Sequence, residues 1–117
     1  MPPQRRLAVR VATDMPLAWC IVDDGGHPGA PAAATCVDLS SSGIAFVSKA
    51  GAQVDDGILI QLHPELLGSS LAVQARVVRV ARAPGGYRLA VAFEALDAAR
   101  RAMLGRFVIA LMGAQAA

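Results

Sequence analysis

At 117 residues the chain is long enough to bury a core and too short for two domains. With 55% hydrophobic and 17% charged residues it lies far from disordered compositions, and it holds no run of about 18 apolar residues to span a bilayer. A formal charge of +2 is too small to announce nucleic-acid binding, although Arg5, Arg6 and Arg10 all precede the first acid, Asp14.

The N-terminal stretch MPPQRRLAVRV is basic, but Thr13 and Asp14 follow it where a secretory signal would have an apolar segment. The expected compartment is the cytoplasm. Read as an extended arm over 1–12, its Leu7, Val9 and Val11 face one way and Arg6 and Arg10 the other. The two arginines then lie about 13 Å apart at ~3.3 Å per residue, a span for two separated groups on one larger ligand.

Four strands are predicted next, in LAWCIVDD (17–24), AATCVDL (33–39), GIAFVS (43–48) and GILIQLH (57–63), each rich in β-branched or aliphatic residues and bounded by Gly, Pro or Asp. Cys20 and Cys36 fall inside these runs, as buried reduced thiols do. With no CxxC spacing and only His27 and His63 besides, they make a poor metal-ligand set.

From Ser70 to Arg82 a longer strand puts Leu71, Val73, Ala75 and Val77 on one face; then the parity slips, with Val78 and Val80 on the other, the pattern of a β-bulge or of a strand leaving the core. The turn APGG (83–86) leads into YRLAVAFEA, which alternates with Tyr87, Leu89, Val91 and Phe93 on one side, so the two strands form a hairpin. Asp97 reads as the N-cap of a closing helix over about 97–113, whose Met103, Leu104, Phe107, Val108 and Leu111 form one stripe. Short strands with frequent turns and no βαβ alternation predict an all-β antiparallel barrel over about 13–95, one domain across 1–117, with the C-terminal α-helix covering it.

Two polar constellations stand out. Arginine is the residue for bidentate recognition of phosphate oxygens or the guanine O6/N7 edge, and the arm carries RLAVR at 6–10. In DLSSSG (38–43), Asp38 and Ser40 share one strand face with Leu39 turned inward. A carboxylate there matches the adjacent N–H donors of a guanine Watson–Crick edge, and Gly43 would permit a tight turn with φ > 0 and a close backbone approach to a ligand. Either constellation alone reads equally as an exposed tail or a hairpin turn.

Together, RxxxR at Arg6 and Arg10 followed by DxSxxG at Asp38, Ser40 and Gly43, and then by paired strands and a terminal helix, resemble the PilZ domain family of bacterial cyclic di-GMP receptors over nearly the whole chain. The resemblance implies an antiparallel barrel with a mobile arm that closes over cyclic di-GMP. Arg6 and Arg10 would hold phosphate and guanine, Asp38 and Ser40 would read a guanine, and Gly43 would keep the surface open. Arg5, just before the first motif, is associated in the family with two stacked ligand molecules. Ala90 departs from a common Gly, and Arg79 stands where some members have a large aromatic, which makes Arg79 a candidate stacking contact.

Catalysis is not expected: the serines beside Asp38 have no histidine in triad-like context. A single-stranded nucleic-acid platform would need more exposed aromatics than one Trp, one Tyr and three Phe. The expected protein is a cyclic di-GMP receptor without cofactor, a monomer or weak dimer, that passes its signal to an unidentified protein. The alternative is a PilZ-like adaptor that binds no ligand and acts only through protein contacts, for which the Ala- and Met-rich helix end offers a surface.

Overall fold

The computed structural model describes residues 10–62 and 70–116. Seven strands precede one helix: β1 (Val11–Ala12), β2 (Pro16–Val22), β3 (Ala32–Leu39), β4 (Gly43–Ser48), β5 (Gly57–Leu62), β6 (Leu71–Ala83), β7 (Gly86–Glu94) and α1 (Ala98–Ala116). All strand pairings are antiparallel, in the order β1-β3-β2-β5-β6-β7-β4. A further β3–β4 pairing closes the sheet, so six strands form a barrel. β1 lies against the end of β3, Val11 opposite Leu39 and Ala12 opposite Asp38.

The closure follows from alternation along each strand. Leu17 and Trp19 of β2, Ile58, Ile60 and Leu62 of β5, Leu71, Val73, Ala75 and Val77 of β6, and Leu89 and Val91 of β7 all point inward and are buried, and the barrel leaves these strands no open edge. Trp19 lies 5.3 Å from Phe46, ring to ring, and its indole N–H donates to the buried Ser48 hydroxyl at 3.1 Å, as a buried Trp requires.

Two bulges adjust the alternation. In β6 the register against β7 shifts between Val77 and Arg79, where the parity slip predicted it, and Val78 is turned outward at 55% exposure. In β3 a second shift lies between Cys36 and Asp38. It lets Cys36 and Leu39, both 0% exposed, face the core although two residues separate them. The β6–β7 hairpin turns through Pro84 and Gly85, with Gly85 at φ 76°, the glycine position of a type II turn after Pro.

Asp97 caps α1 as predicted: its Oδ1 accepts from the Arg100 N–H at 2.8 Å. The helix runs three residues beyond the expected end at 113. Leu104, Phe107 and Val108 are buried in the core, with Met103 and Leu111 packed beside them. Arg100 reaches across to donate to the Ala72 carbonyl at 2.9 Å, tying α1 to β6. Both cysteines are free and buried. Burial pushes the Cys36 thiol up from its ordinary 9.0 to about 12, partly offset by its contact with the Asp38 carbonyl.

Candidate functional site

The two sequence constellations meet where β1 lies against the end of β3. That pairing places Arg10 beside Asp38, and its guanidinium donates to the Asp38 carboxylate at 3.0 Å. Arg10 is 76% exposed and Asp38 19%, so the pair sits at a rim. Thr13 N–H donates to the Val37 carbonyl at 3.1 Å and holds the chain to β3 just beyond Arg10. Arg5 and Arg6 lie outside the described residues, as does His63.

The rim borders a cavity of about 180 Å³. Arg10, Asp38, Ser40, Ser42 and Gly43 line one side; Val78, Ala90, Val91 and Ala92 of the β6–β7 ribbon line the other. Drug-sized ligands usually fill roughly 300–1,000 Å³, so this recess admits a single flat ring system and leaves any larger ligand on the barrel surface. One wall is charged and hydrogen-bonding, the other small and apolar, the combination a nucleobase needs for edge and face.

Ser40 is buried at 6% exposure, and its hydroxyl organises the turn from β3 to β4. The oxygen accepts from the Ser42 and Gly43 N–H groups, each at 3.2 Å, and lies 3.2 Å from the Ser42 hydroxyl. The Ser40 N–H in turn donates to the Gly43 carbonyl at 2.9 Å. Ser40 thus lines the recess beside Asp38 while its hydroxyl serves the loop. Ser42 also faces the recess, and its carbonyl accepts from Phe93 N–H.

Gly43 corrects one expectation. Its φ is not positive: Gly26 and Gly85 are the positive-φ glycines among the described residues. It is needed because a Cβ there would collide with the Val91 carbonyl oxygen of β7; the close approach is strand to strand, at the Gly43–Ala92 pairing. Arg79 is exposed on β6 opposite Ala90 and is not among the residues that line the recess. The bulge residue Val78 takes that place. The parity slip marked the bulge, but alternation alone does not say which of the two residues faces the recess.

His27 sits in the β2–β3 loop, 3.3 Å from the exposed Asp23 carboxylate, which also accepts from the Gly25 and His27 N–H groups. This is a turn held by an aspartate. Among the described residues no group of three His, Cys, Asp or Glu side chains could hold a metal, and no helix is long and apolar enough to cross a membrane.

The fold and recess define the class: a closed antiparallel barrel with an arginine–carboxylate rim at a small surface recess. The PilZ domain profile matches residues 4–110, and the chain belongs to the PilZ domain family, a family of non-catalytic cyclic di-GMP receptors. Among solved structures, the PilZ domain with c-di-GMP of YcgR from Escherichia coli is similar at TM-score 0.71 and 14% identity, covering 96% of this chain and 95% of that one. The PilZ domain of CeSA from a cellulose-synthesizing bacterium gives 0.66 and 19%, over 89% and 98%. The Bacillus subtilis inhibitor of motility MotI/DgrA gives 0.72 and 17%, over 97% of this chain and 57% of that one. At these identities the likeness establishes the fold. No curated protein matches the sequence significantly.

Proposed function

We propose that this chain binds cyclic di-GMP at the recess, with a guanine edge on Asp38, its face against Val78 and Ala90, and the arm arginines Arg5, Arg6 and Arg10 closing on the phosphates and the second guanine. The observation that carries this reading is the 3.0 Å contact between Arg10 and Asp38, which joins the two halves of the motif at the mouth of a base-sized recess. The YcgR domain and the Klebsiella MrkH structure, both solved with c-di-GMP, support the ligand class. With Arg5 in front of the motif, the ligand is read as a stacked pair. Arm closure then changes the surface offered to a protein partner, and no catalytic group takes part.

Titration calorimetry with cyclic di-GMP on wild type, Arg6→Ala, Arg10→Ala and Asp38→Ala tests this. Each well-placed pairing is worth roughly 1–3 kcal/mol, so each variant should bind about one to two decades more weakly. Stoichiometry near two ligands per chain, falling in Arg5→Ala, is expected for the stacked pair. No heat with wild type at tens of micromolar, or equal heat with GTP, would sink the receptor reading and leave the adaptor alternative.

A further inference from the structure

Helix α1 is apolar on both sides, which a helix covering a barrel does not require. A helix with one buried stripe should be polar on the opposite face; one that is apolar all round is normally buried all round. At 100° per residue, the side opposite Leu104, Phe107 and Leu111 carries Ala98, Ala102, Gly105, Ile109, Met112 and Gly113, a stripe about 24 Å long at 1.5 Å per residue. It is solvent-facing: Ile109 is 69% exposed and Met112 43%.

The glycines sharpen the point. Among the described residues, a Cβ at Gly105 or Gly113 would meet nothing within 4 Å, so no described neighbour requires either glycine, while each costs about 1 kcal/mol of helix propensity relative to Ala. They flank Ile109 at i−4 and i+4, on one ridge of the helix surface. This leaves a single large side chain between two shallow depressions, a surface that admits another helix at close range.

Charge selects the occupant. Arg101 and Arg106 border the stripe on its two sides, and no acidic residue occurs between 98 and 113. Among the described residues the Arg106 side chain makes no hydrogen bond or ion pair, and the Arg101 guanidinium donates only to the Leu96 carbonyl, at 3.2 Å. A second copy of α1 would set arginine borders against arginine borders. A lipid surface would want Trp, Phe or Leu on the inserting face, where this stripe has mostly Gly and Ala.

We propose that the outward face of α1 docks an amphipathic helix of a partner protein whose apolar stripe is bordered by glutamate or aspartate. Ile109 and Met112 pack against that stripe, the glycines set the close approach, and Arg101 and Arg106 pair with the acidic borders. The surface is independent of the nucleotide reading, since docking is measured without nucleotide and calorimetry of the recess tests the other.

The probe is a labelled synthetic helical peptide with leucine at heptad positions a and d and glutamate at e and g, beside a twin with lysine at e and g, each titrated with the full chain by fluorescence anisotropy. The glutamate peptide should bind at least about tenfold more tightly than its twin. Ile109→Gln, at a site too exposed to unfold the domain, should weaken it about tenfold, and Arg101→Glu with Arg106→Glu should reverse the preference between the peptides. Reversal by a folded double variant, verified by circular dichroism, is a result that a merely structural role for the arginines does not produce. Equal binding of both peptides, or no effect of Ile109→Gln, overturns the proposal. So does an Ile109-dependent dimer in sedimentation equilibrium, or stronger binding to phosphatidylglycerol vesicles than to the glutamate peptide.

Discussion

Ser40→Ala separates two roles that the DLSSSG stretch combines. In the structure the Ser40 hydroxyl accepts from two backbone N–H groups, Ser42 and Gly43, at 3.2 Å each, and it is 6% exposed. Removing it leaves those donors without that acceptor at a part-buried turn. A lost partner of this kind costs about 1–3 kcal/mol, and bonds at the long end of the normal range place the effect near the lower half, about 1–2 kcal/mol. With a urea m-value of ~1–3 kcal/mol/M, the denaturation midpoint should fall by roughly 0.3–2 M with no change in slope. Ser42→Ala, which removes only a hydroxyl–hydroxyl contact, should shift it by less than about 0.5 kcal/mol. The reasoning is refuted if Ser40→Ala leaves the midpoint in place while abolishing nucleotide binding, because the hydroxyl would then act on the ligand and not on the loop.

Other substitutions probe the packing around the recess. Gly43→Ala should destabilise by about 1–3 kcal/mol through overpacking against the Val91 carbonyl, with the β4–β7 amides around it losing hydrogen-exchange protection first. Ser48→Ala leaves the buried Trp19 N–H and the Ala50 N–H without their acceptor and should cost about 1–3 kcal/mol; Trp19 is the chain's single tryptophan, so its emission reports the change directly. Cys36 sets an alkaline limit. Its folded pKa, about 12, lies above its ordinary 9.0, so from pH 9 upward the unfolded chain releases this proton first and stability falls by up to about 1.4 kcal/mol per pH unit until pH 12. Below pH 9 the contribution is constant. Urea titrations at pH 8, 9.5 and 11 should show a steeper loss for wild type than for Cys36→Ala.

The barrel was legible because its strands alternate. Burial on one face gives the period of two, and Pro84–Gly85, Asp97 and the parity slip at Val78 mark the places where the pattern stops or shifts. What alternation could not give was the bulge in β3. Strict parity puts Cys36 on the face of Asp38, while its apolar setting predicts burial; only an extra residue at the turn of register satisfies both, and no glycine flags it. The reason for Gly43 was hidden similarly, since a close approach between β4 and β7 depends on the partner strand's backbone and not on local sequence. The Arg10–Asp38 contact joins positions 28 apart in the chain. The resemblance of the motifs implied that both serve one ligand, but their spacing alone does not bring them together.

That contact bears on how the proposed switch would be driven. An exposed ion pair is worth about 0–1 kcal/mol, and with Arg10 76% exposed this one lies near the bottom of that range, screened further at a Debye length of about 8 Å. It is too weak to hold the recess closed against a ligand that offers several contacts of roughly 1–3 kcal/mol each. Its effect is positional: Arg10 already stands at the rim, fixed by the β1–β3 pairing and by buried Val11, so little ordering cost remains for it on binding. A double-mutant cycle on Arg10 and Asp38 should therefore show a coupling below about 1 kcal/mol in ligand-free stability, and a larger coupling in cyclic di-GMP affinity, because Asp38→Ala removes the proposed base contact and also releases the arginine placed beside it. Equal coupling in both measurements would mean that the pair is only a surface ion bridge, and the positional argument would fail.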